Sequence, residues 1–161
     1  MSEEGHQQAR LLADYLANQH FSHIYSSDLL RARETVAPIV AHHTMTPLTY
    51  DERLRERTFG PYDGMEKTEI IAKYRLTPHA LYTHLASLPT SESAEQLYHR
   101  VRNLVQHLQE LHNNEHILCI THGGFKRAIQ VLLQDLPLLD IDNSAIQFSN
   151  TGITTYEITN A

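Results

Sequence analysis

A single cysteine, Cys119, leaves the chain without any intrachain disulfide. Its place in the apolar run Ile117–Ile120 fits a small buried thiol in a reducing compartment. Tryptophan is absent, and six glycines and six prolines in 161 residues are too few for a low-complexity or collagen-like chain. No apolar run approaches the length of a membrane span, and the stretch Met1–Tyr15 has neither the basic start nor the apolar centre of a secretory signal. A cytoplasmic protein with no membrane partner is expected. Positive charge is also short: thirteen Lys and Arg face nineteen Asp and Glu, a formal net charge of -6. Such a surface repels polyphosphate, so no nucleic-acid partner is expected.

What is present suits a globular protein. Residues are 41% hydrophobic and 20% charged, and the length fits a single domain over residues 1–161. Twelve histidines stand out, because imidazole serves metals, proton transfer and phosphoryl chemistry. The spacing of Ala9, Leu12, Ala13 and Leu16 predicts a helix over Gly5–Asn18. Phe21–Ser26 reads as a strand, followed by a polar turn in which Ser27 or Asp28 caps a helix over Leu29–His43. A short strand is expected at Thr46–Tyr50, a glycine-rich loop at Phe59–Gly64, and short helices at Glu66–Tyr74 and Pro78–Leu88. Ser93 and Gln96 form a capping box ahead of an amphipathic helix carrying Leu97, Val101, Leu104, Leu108 and Leu111. His116–Thr121 has the continuous apolar character of a central strand in a parallel sheet, Phe125–Gln134 reads as a helix, and Ala145–Ser149 and Ile153–Thr159 read as closing strands. This alternation predicts an α/β fold, a three-layer sandwich whose mostly parallel sheet has helices on both faces.

In such sheets ligands bind beyond the carboxyl ends of the strands. Two junctions qualify: Tyr25-Ser26-Ser27 leading to Arg31, and Ile120-Thr121-His122 leading to Gly123 and Gly124. At each, a strand end meets a helix N-terminus that favours an anion, and the glycines let backbone amides come close. Arg31 adds a permanently charged fork and His122 a titratable donor, which together describe a phosphate site. Glu56, on the glycine-rich loop, would serve as a general acid if desolvation raised its pKa toward neutrality. Each feature also has a plainer meaning: a solvated arginine at a helix start, a glycine turn, a glutamate on a charged face. With one cysteine, and with His20 and His23 flanked by strand-like residues, no metal site is expected.

Read together, Gly5-His6-Gln7-Gln8-Ala9, the run Ile24–Thr35 with Ser26-Ser27-Asp28 and Arg31-Ala32-Arg33-Glu34-Thr35, Leu54-Arg55-Glu56-Arg57-Thr58-Phe59-Gly60, Ser91-Glu92-Ser93, Thr121-His122-Gly123-Gly124 and the tail Asn150–Thr154 resemble, in order and spacing, the histidine phosphatase superfamily of phosphoglycerate-mutase-like phosphatases and mutases. The resemblance implies a phosphoglycerate-mutase-like fold acting on a small phosphorylated molecule. It implies that Arg31 contacts the transferred phosphoryl group, that Glu56 donates a proton to the leaving oxygen, and that His122 stabilises the phosphoryl group in flight. It also implies a phosphohistidine route that needs neither metal nor cofactor. The substrate would be selected by the region from Glu66 to Leu88, which holds Tyr74, Arg75, His79, Tyr82 and His84.

One departure carries consequences. Members of that superfamily open on a strand ending in Leu-x-x-Arg-His-Gly, which supplies the nucleophile, and no Arg-His-Gly occurs in these residues. The chain is therefore expected to be N-terminally truncated relative to the family, with no nucleophile and little or no turnover. A noncatalytic phosphate-binding pseudo-phosphatase is the alternative. The missing strand would lie between those ending at Ser26 and Thr121, leaving two unpaired edges. Either these strands pair directly, or a second copy inserts a segment, giving a homodimer, or the sequence is a fragment.

Overall fold

A computed structural model describes residues 1–142 and 148–158. They fall into two compact units, one of residues 1–55, 103–122 and 148–158, the other of residues 56–102 and 123–142.

In the first unit, helix α1 (Glu3–Leu16) starts on Ser2, whose hydroxyl accepts the Gly5 N–H at 3.2 Å, and Glu3 and Glu4 face the positive end of the helix. Strand β1 (His23–Ser26), helix α2 (Leu30–His42), strand β2 (Leu48–Tyr50) and strand β3 (Ile117–Ile120) follow. The three strands are parallel, in the order β2-β1-β3. Period-two alternation sends Ile24, Leu118 and Ile120 to one face of the sheet. There they pack with Ala13 and Leu16 of α1 and with Ala32, Val36 and Ile39 of α2. The result is a parallel sheet flanked by helices. Its other face is polar and aromatic. His23 stacks on Tyr25 at 4.3 Å between ring centroids, and the Tyr25 hydroxyl lies 2.8 Å from His112 Nε2. His112 in turn binds Glu115 at 2.7 Å, which holds that carboxyl below its ordinary range.

Strands β1 and β3 pair directly, in register from His23 against Ile117 to Ser26 against Ile120. Along this ladder each strand satisfies the other's amides and carbonyls. The order also corrects the reading of His116–Thr121 as a central strand: among the described residues β1 is central and β3 lies at an edge. An apolar run permits burial on both faces, but pairing decides the position. The expected strand over Ile153–Thr159 is likewise absent from its described part, 153–158, where Ile153 and Ile158 are exposed. Alternating residues make a strand only when a ladder partner is available. Ala145–Ser149 lies mostly outside the described residues, and 148–149 are not in a strand.

Cys119 sits on the face opposite the apolar cluster, where burial, with the Asp51 carboxylate adding to it, pushes the thiol up to about 12. Thiol reagents at pH 8 are expected to modify it slowly until denaturant is added. Rapid stoichiometric labelling of the folded chain would contradict that assignment.

The second unit holds α3 (Lys67–Tyr74) and α4 (Leu81–Ala86). Ile70, Leu81 and Leu85 form its core, with Phe59, Tyr62, Met65 and Tyr74 packed around them. The capping box forms as expected: Ser93 N–H donates to Gln96 Oε1 at 2.8 Å and Gln96 N–H donates to Ser93 Oγ at 3.1 Å. It opens α5 (Ala94–Leu111), whose residues belong in part to each unit. Helix α6 (Gly123–Leu133) completes the second unit. The side chains of His79 and Tyr82 lie outside those described. Among the described residues, no helix is long and apolar enough to cross a membrane.

Candidate functional site

The ladder between β1 and β3 continues one residue beyond the strands, where Ser27 N–H donates to Ile120 O at 2.9 Å. This bond sets the two strand ends side by side, so the residues just past them face the same space. On the β1 side the chain turns through Ser27, Asp28 and Leu29 into α2. Arg31 lies in the first turn of that helix. On the β3 side comes His122.

Arg31 Nε donates to His122 Nδ1 at 3.1 Å, although 91 residues separate them. His122 Nε2 lies 2.8 Å from Ser27 Oγ. Ser27 is fully buried and His122 is 8% exposed, while Arg31 is exposed. The cluster is thus a fixed imidazole with a guanidinium fork reaching outward from it. A permanent cation beside an oriented imidazole at a strand end can receive a tetrahedral oxyanion.

The loop beneath is braced by charge. Arg55 Nε and Nη2 bind the two oxygens of Asp28 at 2.7 and 2.5 Å, which holds the Asp28 carboxyl below its ordinary range. Arg33 Nε donates to Asp28 O at 2.7 Å and its guanidinium covers the Tyr50 ring at 4.0 Å. These contacts correct the expectation that Ser27 or Asp28 caps α2. Leu29 occupies the cap position with no side-chain bond. The Asp28 carboxylate is engaged by Arg55, and the backbone amide that Ser27 Oγ accepts, at 3.3 Å, is that of Leu29, ahead of the helix.

Within the second unit, Glu56 Oε1 accepts the Gly124 N–H at 2.8 Å and the Arg57 N–H at 3.0 Å. The carboxylate therefore caps the first turn of α6, satisfying one of its orphan amides and facing its positive end. A β-carbon on Gly124 would overlap that carboxylate. The expectation that both glycines offer amides to an anion is corrected at Gly124, whose N–H is already held by Glu56. At Gly123, the first residue of α6, a β-carbon would meet nothing within 4 Å. Gly124→Ala is expected to displace the Glu56 carboxylate and lower stability by about 1.5 to 3 kcal/mol, the range for a hydrogen bond to a charged group. Gly123→Ala should be close to neutral by comparison. Equal melting temperatures for the two variants would refute this reading.

Two features were not legible as site residues in the sequence. Ser27 reads as a helix cap at one of the two strand-end junctions, and its contact with His122 depends on the register of two strands far apart in the chain. Arg57 read as one member of a charged run, yet its side chain is 2% exposed and pairs with Asp142. His112 and His116 have the spacing of two ligands on one helix face, but α5 ends at Leu111. His112 is engaged by Tyr25 and Glu115, and His116 Nδ1 lies 3.1 Å from His20 O.

Comparison with known proteins agrees with the fold. The Arabidopsis thaliana phosphoglycerate mutase-like protein 4 is 34% identical over 137 residues, covering 80% of this chain, which spans 58% of that protein's length. The solved structure of Bacillus stearothermophilus YhfR superposes with a TM-score of 0.75 at 28% identity, over 88% of this chain and 70% of that one. A mycobacterial glucosyl-3-phosphoglycerate phosphatase solved with inorganic phosphate superposes with a TM-score of 0.72 at 25% identity, over 88% of this chain and 72% of that one. A family profile matches residues 1–161 throughout, so the chain that brings Arg31 onto His122 belongs to the histidine phosphatase superfamily, branch 1.

Proposed function

We propose that these residues bind a small phosphomonoester, the phosphoryl group being held by Arg31 and His122 with the Gly123 amide, and that they turn it over little or not at all. The approach of Arg31 Nε to His122 Nδ1 at 3.1 Å carries this reading. A cation and an imidazole held at two adjacent strand ends suit phosphate oxygens, and the mycobacterial relative was solved with that anion. The family pattern gives Glu56 the part of proton donor. Low turnover is inferred because no Arg-His-Gly occurs in the 161 residues, and losing a nucleophile costs several powers of ten in rate. The noncatalytic reading draws support from the direct pairing of β1 with β3, the strands between which the family motif would place a nucleophile. A cytoplasmic location, a phosphorylated small molecule as partner and a homodimer belong to the same proposal.

Calorimetric titration with inorganic phosphate, beside an assay of p-nitrophenyl phosphate hydrolysis, tests it. The unaltered chain should bind phosphate, an Arg31→Ala, His122→Ala double variant should not, and both should hydrolyse the ester equally slowly. Equal phosphate binding by the two would end the proposal. Faster hydrolysis by the unaltered chain would replace the noncatalytic reading with an enzymatic one.

A further inference from the structure

We propose that Ser27 is the positioning residue of the phosphate site, its buried hydroxyl locking the His122 ring so that Nδ1 is the nitrogen turned toward Arg31 and the incoming anion. The inference rests on the phosphate reading of Arg31 and His122 given above.

Arginine can only donate hydrogen bonds. Because Arg31 Nε donates to His122 Nδ1 at 3.1 Å, Nδ1 carries a lone pair on that side and the neutral ring keeps its proton on Nε2. That proton points at Ser27 Oγ, 2.8 Å away. The hydroxyl oxygen is well suited to accept it, because Ser27 itself is immobilised. It is fully buried, its N–H is tied to Ile120 O at 2.9 Å, and the hydroxyl of Ser26 donates to its carbonyl at 3.0 Å. The acceptor is thus fixed to both strands whose ends make the site. A protonated ring keeps the Nε2–H bond to Ser27 Oγ, while its Nδ1, now carrying a proton, no longer accepts from Arg31 and faces the anion instead. In either form the ring plane and its outward nitrogen are set before an anion arrives, so neither has to be ordered on binding.

Nitrogen-15 NMR of histidine-labelled protein reads the lock directly, with His122 assigned by its loss in His122→Gln. In the phosphate-free chain His122 should show a lone-pair Nδ1 and a protonated Nε2. In Ser27→Ala the two tautomers should mix and phosphate affinity should fall about tenfold, equivalent to about 1.4 kcal/mol. Ser27→Thr, which keeps the hydroxyl, should restore both. An unaltered chain whose His122 carries its proton on Nδ1 overturns the proposal, and that result needs no variant to fold. An unchanged His122 signature in folded Ser27→Ala also overturns it. Failure of the unaltered chain to bind phosphate, with the signature present and lost in Ser27→Ala, overturns the phosphate reading and leaves Ser27 as the residue that orients His122.

Discussion

Replacing Arg31 with alanine is expected to weaken inorganic phosphate binding by about a hundredfold while leaving the melting temperature almost unchanged. Hydrogen bonds to a charged group contribute about 1.5 to 3 kcal/mol, and a guanidinium can offer two to one anion. A loss of about 2.8 kcal/mol corresponds to two decades of affinity. The fold has little reason to respond. Arg31 is exposed, and its side chain bonds within the chain to His122 alone among the described residues. Alanine is also a good helix residue for the first turn of α2. Arg31→Lys should recover part of the affinity, since a point charge returns without the planar fork. His122→Ala makes a useful contrast: the ring is 8% exposed and its removal leaves a cavity and takes the shorter of two bonds from the buried Ser27 hydroxyl, so affinity and stability should fall together. Titration calorimetry and thermal melts on the three variants separate these outcomes. An Arg31→Ala chain that binds phosphate as tightly as the parent would remove the guanidinium from the site.

The pairing of Arg31 with His122 could be anticipated from sequence because both come just after apolar strand-like runs, and a parallel sheet gathers the carboxyl ends of such runs along one edge. The Ser93–Gln96 cap was legible for a different reason: both bonds lie within four residues, so no tertiary information is needed. Features set by distant pairing were not legible. Nothing in the run Ile117–Ile120 indicates that it lies at an edge of the sheet, and nothing in Ile153–Ile158 indicates that it pairs with no strand, as both do among the described residues. Glu56 shows the same limit at the level of one side chain. Its charge and its place before a glycine-rich loop suggested acid chemistry, whereas its bond to the Gly124 amide, 68 residues away, gives it a capping task as well. Both backbone amides bind the same oxygen, Oε1.

The same charged run contains Arg57, and the loss of its ion-pair partner Asp142 should cost the second unit heavily. Arg57 is 2% exposed and Asp142, its ion-pair partner, is 23% exposed. Arg57 Nε donates to Glu92 O at 2.8 Å, and Nη2 finds no partner among the described residues. Asp142 is thus the one carboxylate bound to this cation there. Glu92 cannot replace it, because Arg100 already binds both of its carboxylate oxygens at 2.7 Å. Asp142→Ala should therefore leave a buried guanidinium uncompensated and destabilise the chain by about 3 to 5 kcal/mol. For a chain of this size that corresponds to a melting temperature lower by roughly 10 °C. The pair itself need not be net stabilising, since desolvating two charges offsets most of their attraction. Arg57→Met combined with Asp142→Leu should accordingly recover most of the loss, or exceed the parent, because the orphan Nη2 disappears with the charge. A double variant as unstable as Asp142→Ala alone would show that Asp142 acts through its backbone turn rather than by neutralising Arg57.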